Sequence, residues 1–351
     1  MRKGIFFAHR QSEAQAISNA VKEYGFDIDV RRIEDYLMRC EFLPRTSEIR
    51  KAVDGADFVI TDDVYTIPFT LKIMGSKIPV VYRARGNYRT EVDLRVKQGI
   101  VGGPFRYLSG KATSALFEWF AEPTWVIPVC GHLAENLSHL NADIATVYNG
   151  VDLERFNPEM VQESRAIGDI RGRKIGIIFN FNIYGKVAPL KTTLEWFKIL
   201  LEFEEGVVLL IAGDGAYRKQ IEKTARDMEL GENVRFLGHI DKIEEFICAC
   251  DVIWHPSLLD ELPTAVLESM AMEKAVISFD TGGIPEIITH REDGFLVERE
   301  NYDKFREHTI QLFKDEKLRQ KIEKNARKKI ERKFSWEING KKFADALGGL
   351  Q

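Results

Sequence analysis

Short apolar runs separated by longer amphipathic stretches recur almost from end to end of this chain, and that rhythm limits its fold more than any single motif. In the first half the runs are GIFFA (4–8), DIDVRRI (27–33), DFVITDD (57–63), PVVYRA (79–84), WVIPV (125–129) and ATVYNG (145–150). Between them lie helical patterns such as SEAQAISNAVKEYG, whose apolar residues recur at three and four and which stops at Gly25. Strand and helix in alternation imply a parallel sheet covered on both faces. A polar segment at 150–173 follows, and then the rhythm restarts. KIGIIFN (174–180), VVLLIAG (207–213), NVRFLGHI (233–240), DVIWHP (251–256), AVISFD (275–280) and GFLVE (294–298) form the second set. A restart of this kind predicts an α/β chain of two Rossmann-like domains, at 1–160 and 161–332, facing across a cleft. The last stretch, about 301–351, reads as charged amphipathic helices, with 333–351 a separate C-terminal helix.

Composition supports packed cores and removes some partners. The 351 residues are 44% hydrophobic and 30% charged, enough for two ordinary domains. Fifty Lys and Arg against 54 acids leave a net charge of −4, which gives no global reason to expect nucleic acid. Cys40, Cys130, Cys248 and Cys250 lack the spacing of a zinc site or a disulfide framework and read as buried reduced thiols. The first residues turn polar after three apolar ones, and no run approaches a membrane span, so a cytoplasmic location is expected, with contact at a membrane surface left open. "DID" at 27–29 is a D-x-D, but it lies on a strand with the character of an edge and reads as structural.

In open α/β sheets, ligands bind beyond the carboxyl ends of the strands. The loops after Ala8, Ala84, Asn180, Gly213, Gly238 and Pro256 therefore hold the candidate residues. One stretch stands out, HPSLLDELPTAVLESMA (255–271), which sets Asp260, Glu261 and Glu268 around an apolar helix expected to run from about 263 to 273 with Pro263 in its first turn. Carboxylates beside a core need a partner. The first-turn amides of that helix form an anion site, and Glu268, one turn in, suits a pair of vicinal hydroxyls such as those of a ribose. A buried Lys or Arg is the alternative partner for Glu268, and plain solvation the alternative for the two loop acids. TGGIPEII (281–288) and AGDGAYR (212–218), with Gly213 and Gly215, add glycine turns that allow a ligand near the backbone.

Taken together, VYNGVDLERFNP, LLIAGDGAYRKQIE, NVRFLGHI, the 255–288 stretch and DGFLV resemble the retaining nucleotide-sugar glycosyltransferases, nearest to family four with its mannosyltransferase and sucrose-synthase-like enzymes. The resemblance is strong over about 145–335 and only general before that. It implies a GT-B fold, with an N-terminal acceptor domain and a C-terminal donor domain. The last helix is expected to cross back to the N-terminal domain. It places Glu268 on the ribose and Asp260, at the first acid of an E-x7-E motif, on the donor sugar. The backbone of Leu262, Pro263 and Thr264 falls by the diphosphate or sugar, and Gly238, His239 and Ile240 near the base.

Departures from that pattern are specific. Asp260 replaces a Glu and Glu261 replaces a Gly, so either acid can serve the sugar. Phe181 stands where the family has the Arg of a diphosphate clamp, while Lys186 keeps the Lys. AHRQ replaces a Gly-Gly loop, leaving His9 and Arg10 as side-chain substitutes, and Arg85 occupies a usual His position. Arg85 can hold phosphate bidentately but cannot act as a base. With Arg83, Arg89, Arg95 and the nearby Asn87 it forms a basic stretch suited to a diphosphate or to an anionic or lipid-linked acceptor. A solvated surface is the plainer alternative.

The expected activity is metal-independent transfer of a sugar, with retention, from a nucleoside-diphosphate-sugar to a hydroxyl acceptor, with no cofactor. The competing expectations are a catalytically degenerate GT-B protein that binds or regulates, and a nucleotide-sugar epimerase.

Overall fold

The computed structural model describes residues 1–36, 45–62, 66–86, 124–162, 167, 169–182 and 184–350. It divides the chain into two units, Met1–Gly150 with Trp336–Gln351, and Val151–Ser335. Each unit is built on a six-stranded sheet in which every pairing is parallel.

The first sheet contains β1 (Arg2–Ala8), β2 (Phe26–Arg32), β3 (Phe58–Thr61), β4 (Val80–Tyr82), β5 (Trp125–Val126) and β6 (Asp143–Ile144), in the order β2-β1-β3-β4-β5-β6. The two-residue period of β1 sends its side chains to two cores. Phe6 and Ala8 join Ile17, Val21, Phe343 and Leu347 on one face, where the helices Gln11–Lys22 and Trp336–Gly348 pack. Ile5 and Phe7 join Ile49, Val53, Ile67 and Leu71 on the other. The last helix is thus part of the first unit's core. "DID" lies on β2 at the sheet edge, with Asp29 paired to Arg31.

The second sheet contains β7 (Arg173–Ile178), β8 (Val207–Ala212), β9 (Val234–Gly238), β10 (Val252–His255), β11 (Ala275–Phe279) and β12 (Phe295–Val297), in the order β12-β11-β10-β7-β8-β9. Its core is rich in aromatics. Trp254 meets Phe197 and Phe305 edge-on, and its indole N–H donates to the Thr309 hydroxyl (2.9 Å), which satisfies the one polar atom the ring brings inside.

The unit boundaries fall about ten residues earlier and three later than the sequence rhythm suggested. The reason lies in the stretch after Gly150. Val151 donates its amide to the Phe334 carbonyl (2.7 Å), Phe156 is buried, and Arg155 bonds to Glu244, so these residues are tied into the second unit. The last predicted strand of the first half also moves: β6 is Asp143–Ile144, and 145–150 continues it only through single hydrogen bonds such as Val147 to Pro128 (3.0 Å). Cys130 and Cys250 are buried free thiols and Cys248 is half-buried and free; Cys40 lies outside the described residues. Among the described residues no helix is long and apolar enough to cross a membrane.

Candidate active site

In the second unit β7 lies between β8 and β10, so the winding reverses at its carboxyl end, the place where such sheets open a crevice. An open pocket of about 490 Å³ lies there, lined among others by Ile178, Asn180, Asn182, Gly213, His239 and Ile240. Gly213 has a φ of +133°, and a Cβ on it would stand 1.8 Å from the Phe179 carbonyl oxygen. Its amide donates to the Gly238 carbonyl (2.7 Å), and the Phe181 amide donates to the Asp214 carbonyl (3.1 Å). Gly215 (φ +147°) likewise sits against Phe181 and Asn182. These glycines therefore serve an approach of loop to loop that floors the pocket, where the sequence suggested an approach of backbone to ligand. His239 is exposed, with Nε2 3.2 Å from Asp241 Oδ1.

Phe181, which replaces the clamp Arg, is fully buried and meets Phe179 edge-on at 5.9 Å. It belongs to the core, and the position presents no side chain to the pocket. Lys186 lies on the helix Tyr184–Leu201; its side chain is outside the described structure.

Beyond β10 the chain loops through Asp260 and Glu261 into the helix Thr264–Ala271. Pro263 is the residue before the helix, at φ −68° and ψ 119°, one position earlier in role than expected. Its carbonyl accepts from Val266 (3.1 Å) and Leu267 (3.4 Å). No side chain caps this helix, and the Thr264 and Ala265 amides have no acceptor among the described residues. An uncapped terminus with the helix dipole behind it attracts negative charge.

Asp260 Oδ2 lies 3.2 Å from His255 Nε2, and both side chains are largely buried. Glu261 is 8% exposed, and its carbonyl accepts from the Gly283 amide (2.8 Å). Gly282 (φ +55°) makes that contact feasible, since a Cβ there would be 2.3 Å from the Asp260 carbonyl oxygen. The "TGG" turn thus braces the acidic loop from behind. Leu262 and Pro263 are buried and Thr264 is half-buried.

Glu268 is half-buried, one turn into the helix. One cation that feels its charge is Arg155, from the NGVDLERF stretch. Arg155 donates to Glu244 Oε2 through Nη2 (2.8 Å) and Nε (3.0 Å) and to the Asp241 carbonyl (3.2 Å). Those bonds to Glu244 hold its pKa above the ordinary value, and the charges of Glu244 and Glu268 add to the effect. Glu268 thus acts on a partly exposed cation that already has another carboxylate.

In the first unit the winding reverses at β1. The loop after it, with exposed His9 and Arg10, is pinned by Asp62, whose two oxygens each accept from the His9 amide at 3.0 Å. A carboxylate thus does locally what a glycine turn does elsewhere. Arg85 is 3.0 Å from Glu13 and 3.3 Å from Asp62, both acids being nearly buried. Arg83 is fully buried, donates to the Val147 carbonyl (2.7 Å) and Asn149 Oδ1 (2.6 Å), and lies over the Phe343 ring. Burial lowers its pKa to about 10. The expected basic patch is thus corrected for its described part: two arginines are matched by two acids, and one of them is structural. Asn87, Arg89 and Arg95 lie outside the described residues.

Four residues that shape these sites escaped the sequence reading: Arg155, His255, Glu13 and Asp62. Arg155 and His255 sit inside motifs that drew attention, but a lone His or Arg in a motif carries no mark of its partner. Glu13 and Asp62 became visible only when β1, β3 and β4 aligned their carboxyl ends.

Residues 163–329 match the family model described as Glycosyl transferases group 1. The chain is 29% identical over 236 residues to the N-acetyl-alpha-D-glucosaminyl L-malate synthase of Bacillus anthracis, a match that covers 65% of this chain and 61% of that protein. It is 27% identical over 252 residues to the UDP-Gal:alpha-D-GlcNAc-diphosphoundecaprenol alpha-1,3-galactosyltransferase of Escherichia coli, covering 67% and 64%. The matched stretch thus spans less than two thirds of either relative. Among solved structures, Anabaena Alr3699/HepE in complex with UDP superposes over 100% of both chains with a TM-score of 0.73 at 15% identity, a likeness of fold. With its two doubly wound parallel sheets the chain has the GT-B fold, and its residues 163–329 are similar to the glycosyl transferases group 1 family.

Proposed function

We propose that the chain is a retaining glycosyltransferase that moves a sugar from a nucleoside-diphosphate-sugar to a hydroxyl acceptor. The observation that carries this reading is the helix Thr264–Ala271, which has unpartnered first-turn amides at its start and the half-buried Glu268 one turn further on. Four residues at about 1.5 Å each separate these groups by roughly 6 Å along the axis, a spacing that suits a diphosphate and the ribose diol of one nucleotide. The pocket of about 490 Å³ at the ends of β7, β8 and β9 then takes the base, beside Gly238, His239 and Ile240.

In this reading, Asp260, oriented by His255, accepts from the donor sugar's hydroxyls, and Glu261 buttresses the loop from its buried position. The anomeric bond breaks through an oxocarbenium-like state. Negative charge that develops on the leaving diphosphate is stabilised by the Thr264 and Ala265 amides and by Lys186. The departing phosphate oxygen takes the acceptor's proton, so no side chain needs to act as base, and no metal ion is invoked. Arg85, engaged by Glu13 and Asp62, orients the first unit's loop. One relative is named for glucosaminyl malate and the other for a diphosphoundecaprenol acceptor, so an anionic and a lipid-linked acceptor both come to this chain as proposals.

The test is a thermal-shift panel of UDP, GDP, ADP and CDP, since a ligand that binds the native state alone raises its melting point. At least one diphosphate is expected to do so; no shift with any of them would remove the donor site. A second reading, a degenerate GT-B protein that binds nucleotide without transfer, draws on Phe181 buried in place of a clamp cation. Nucleotide binding without release of diphosphate from any nucleotide-sugar would favour it.

A further inference from the structure

The helix Glu316–Lys333 packs Ile322, Ala326 and Ile330 into the second unit. At about 100° per residue these three mark its buried direction. Lys317, Lys321, Lys324, Lys328 and Arg332 fall within a sector of about 80° on the opposite side, and all five are exposed. The stripe runs the length of the helix, on the order of 22 Å for fifteen residue steps.

Exposed lysines are ordinary; unpaired ones in a row are less so. Elsewhere on this unit several surface cations have a carboxylate, as in Lys242–Glu245 (2.7 Å), Arg235–Glu232 (3.0 Å), Lys314–Glu204 (2.7 Å) and Arg306–Asp303 (2.9 Å). Others, such as Lys219, Lys223 and Arg226, have none among the described residues; this stripe stands out by placing five on one face. The five stripe residues form no ion pair or hydrogen bond among the described residues. The helix's own acids are taken elsewhere: Glu331 by Arg327 (2.7 Å), Glu323 by Arg319 (3.9 Å), and Glu316 accepts from Gln320 (3.0 Å). In a chain of net charge −4, five uncompensated positive charges have been gathered on one straight face.

We propose that this stripe is a docking surface for an anionic membrane. Charge complementarity points to a polyanion, and the form of the patch selects which one. It is linear and convex, has no aromatic side chain to stack on a base, and has no apolar side chain to insert, so it suits a plane of lipid phosphates better than a single strand of nucleic acid. Each lysine near such a surface contributes about fivefold to partitioning. The binding is reversible by salt, because no buried apolar area backs it. The stripe lies away from Glu268 and the pocket residues in sequence, so this inference stands or falls apart from the transferase reading.

The full chain is tested by sedimentation with vesicles of phosphatidylcholine alone and with about one third phosphatidylglycerol. Binding is expected to the anionic vesicles only, at low salt, and to vanish at several hundred millimolar salt. The variant Lys317→Gln, Lys321→Gln, Lys324→Gln, Lys328→Gln is expected to lose binding by several hundredfold, with an unchanged melting temperature and unchanged diphosphate binding. Equal binding to neutral vesicles, undiminished binding by that variant at its native melting temperature, or capture by single-stranded RNA without any vesicle binding would each overturn the proposal. Should the quadruple variant melt early, Lys321→Gln with Lys328→Gln serves instead, with an expected loss of about 25-fold.

Discussion

Replacing Glu268 by Ala puts the reading of the donor site at greatest risk, and the structure allows the size of its effect to be worked out. A carboxylate accepting from a ribose diol makes charge-assisted hydrogen bonds whose loss costs about 2–3 kcal/mol, a rise in dissociation constant of roughly 30- to 150-fold. The part of the cost to the fold that runs through Arg155 is small. Arg155, a cation that feels the Glu268 charge, keeps both bonds to Glu244 (2.8 and 3.0 Å) and one to the Asp241 carbonyl (3.2 Å). With 45% of the Arg155 side chain exposed, the lost attraction is worth under about 1 kcal/mol. At a diphosphate concentration of about one hundred times the wild-type dissociation constant, ligand stabilises the wild type by about 2.7 kcal/mol and the variant by only about 0.3–0.9 kcal/mol. Titration calorimetry with a ribo- and a 2′-deoxyribonucleoside diphosphate completes the test. The wild type is expected to discriminate between the two, and Glu268→Ala to bind both about equally weakly. If the variant discriminates as well as the wild type, Glu268 does not touch the ribose.

Other perturbations follow from the same geometry. Gly213→Ala must push a Cβ out of a 1.8 Å approach to the Phe179 carbonyl, at a φ that side chains rarely adopt; a loss on the order of 3 kcal/mol and of diphosphate binding is expected in denaturant titration. A wild-type midpoint would show that the loop relaxes freely. Arg83→Met leaves the Val147 carbonyl and Asn149 Oδ1 buried without their donor, while Glu13 keeps Arg85, and about 2–4 kcal/mol of stability is expected to go, read by the same titration. Burial pushes the Cys250 thiol up to about 12 from an ordinary 9.0, so native protein at pH 8 is expected to resist iodoacetamide at that residue while denatured protein reacts. Because the folded-state value is the higher one, that group's contribution to stability is complete below about pH 9 and is lost as pH rises toward 12.

The substitutions that set this chain apart from the family it resembles show how far sequence carries. Phe181 is visible in the sequence as a missing cation, yet its consequence depends on where the ring goes. It is buried against Phe179, so the loop gained packing where the pattern has charge. Arg85 is visible as a replaced His in a basic stretch, and that stretch looked like an anion site. The structure matches it with Glu13 and Asp62, residues 72 and 23 positions away, which no local pattern could bring to it. The uncapped helix before Glu268 was legible because a helix start is a local event, set by Pro263 and the apolar spacing that follows.

The sequence by itself determined the places of the described strands, the parallel class and the loop and helix that carry Asp260, Glu261 and Glu268. Those depend on residue periodicity and turn chemistry, which act over a few neighbours. Tertiary structure alone decided which charges meet, where the units divide, and which glycines hold loops together. Partner choice among charged groups depends on distances across the chain, and only the alignment of strand ends in a folded sheet sets them.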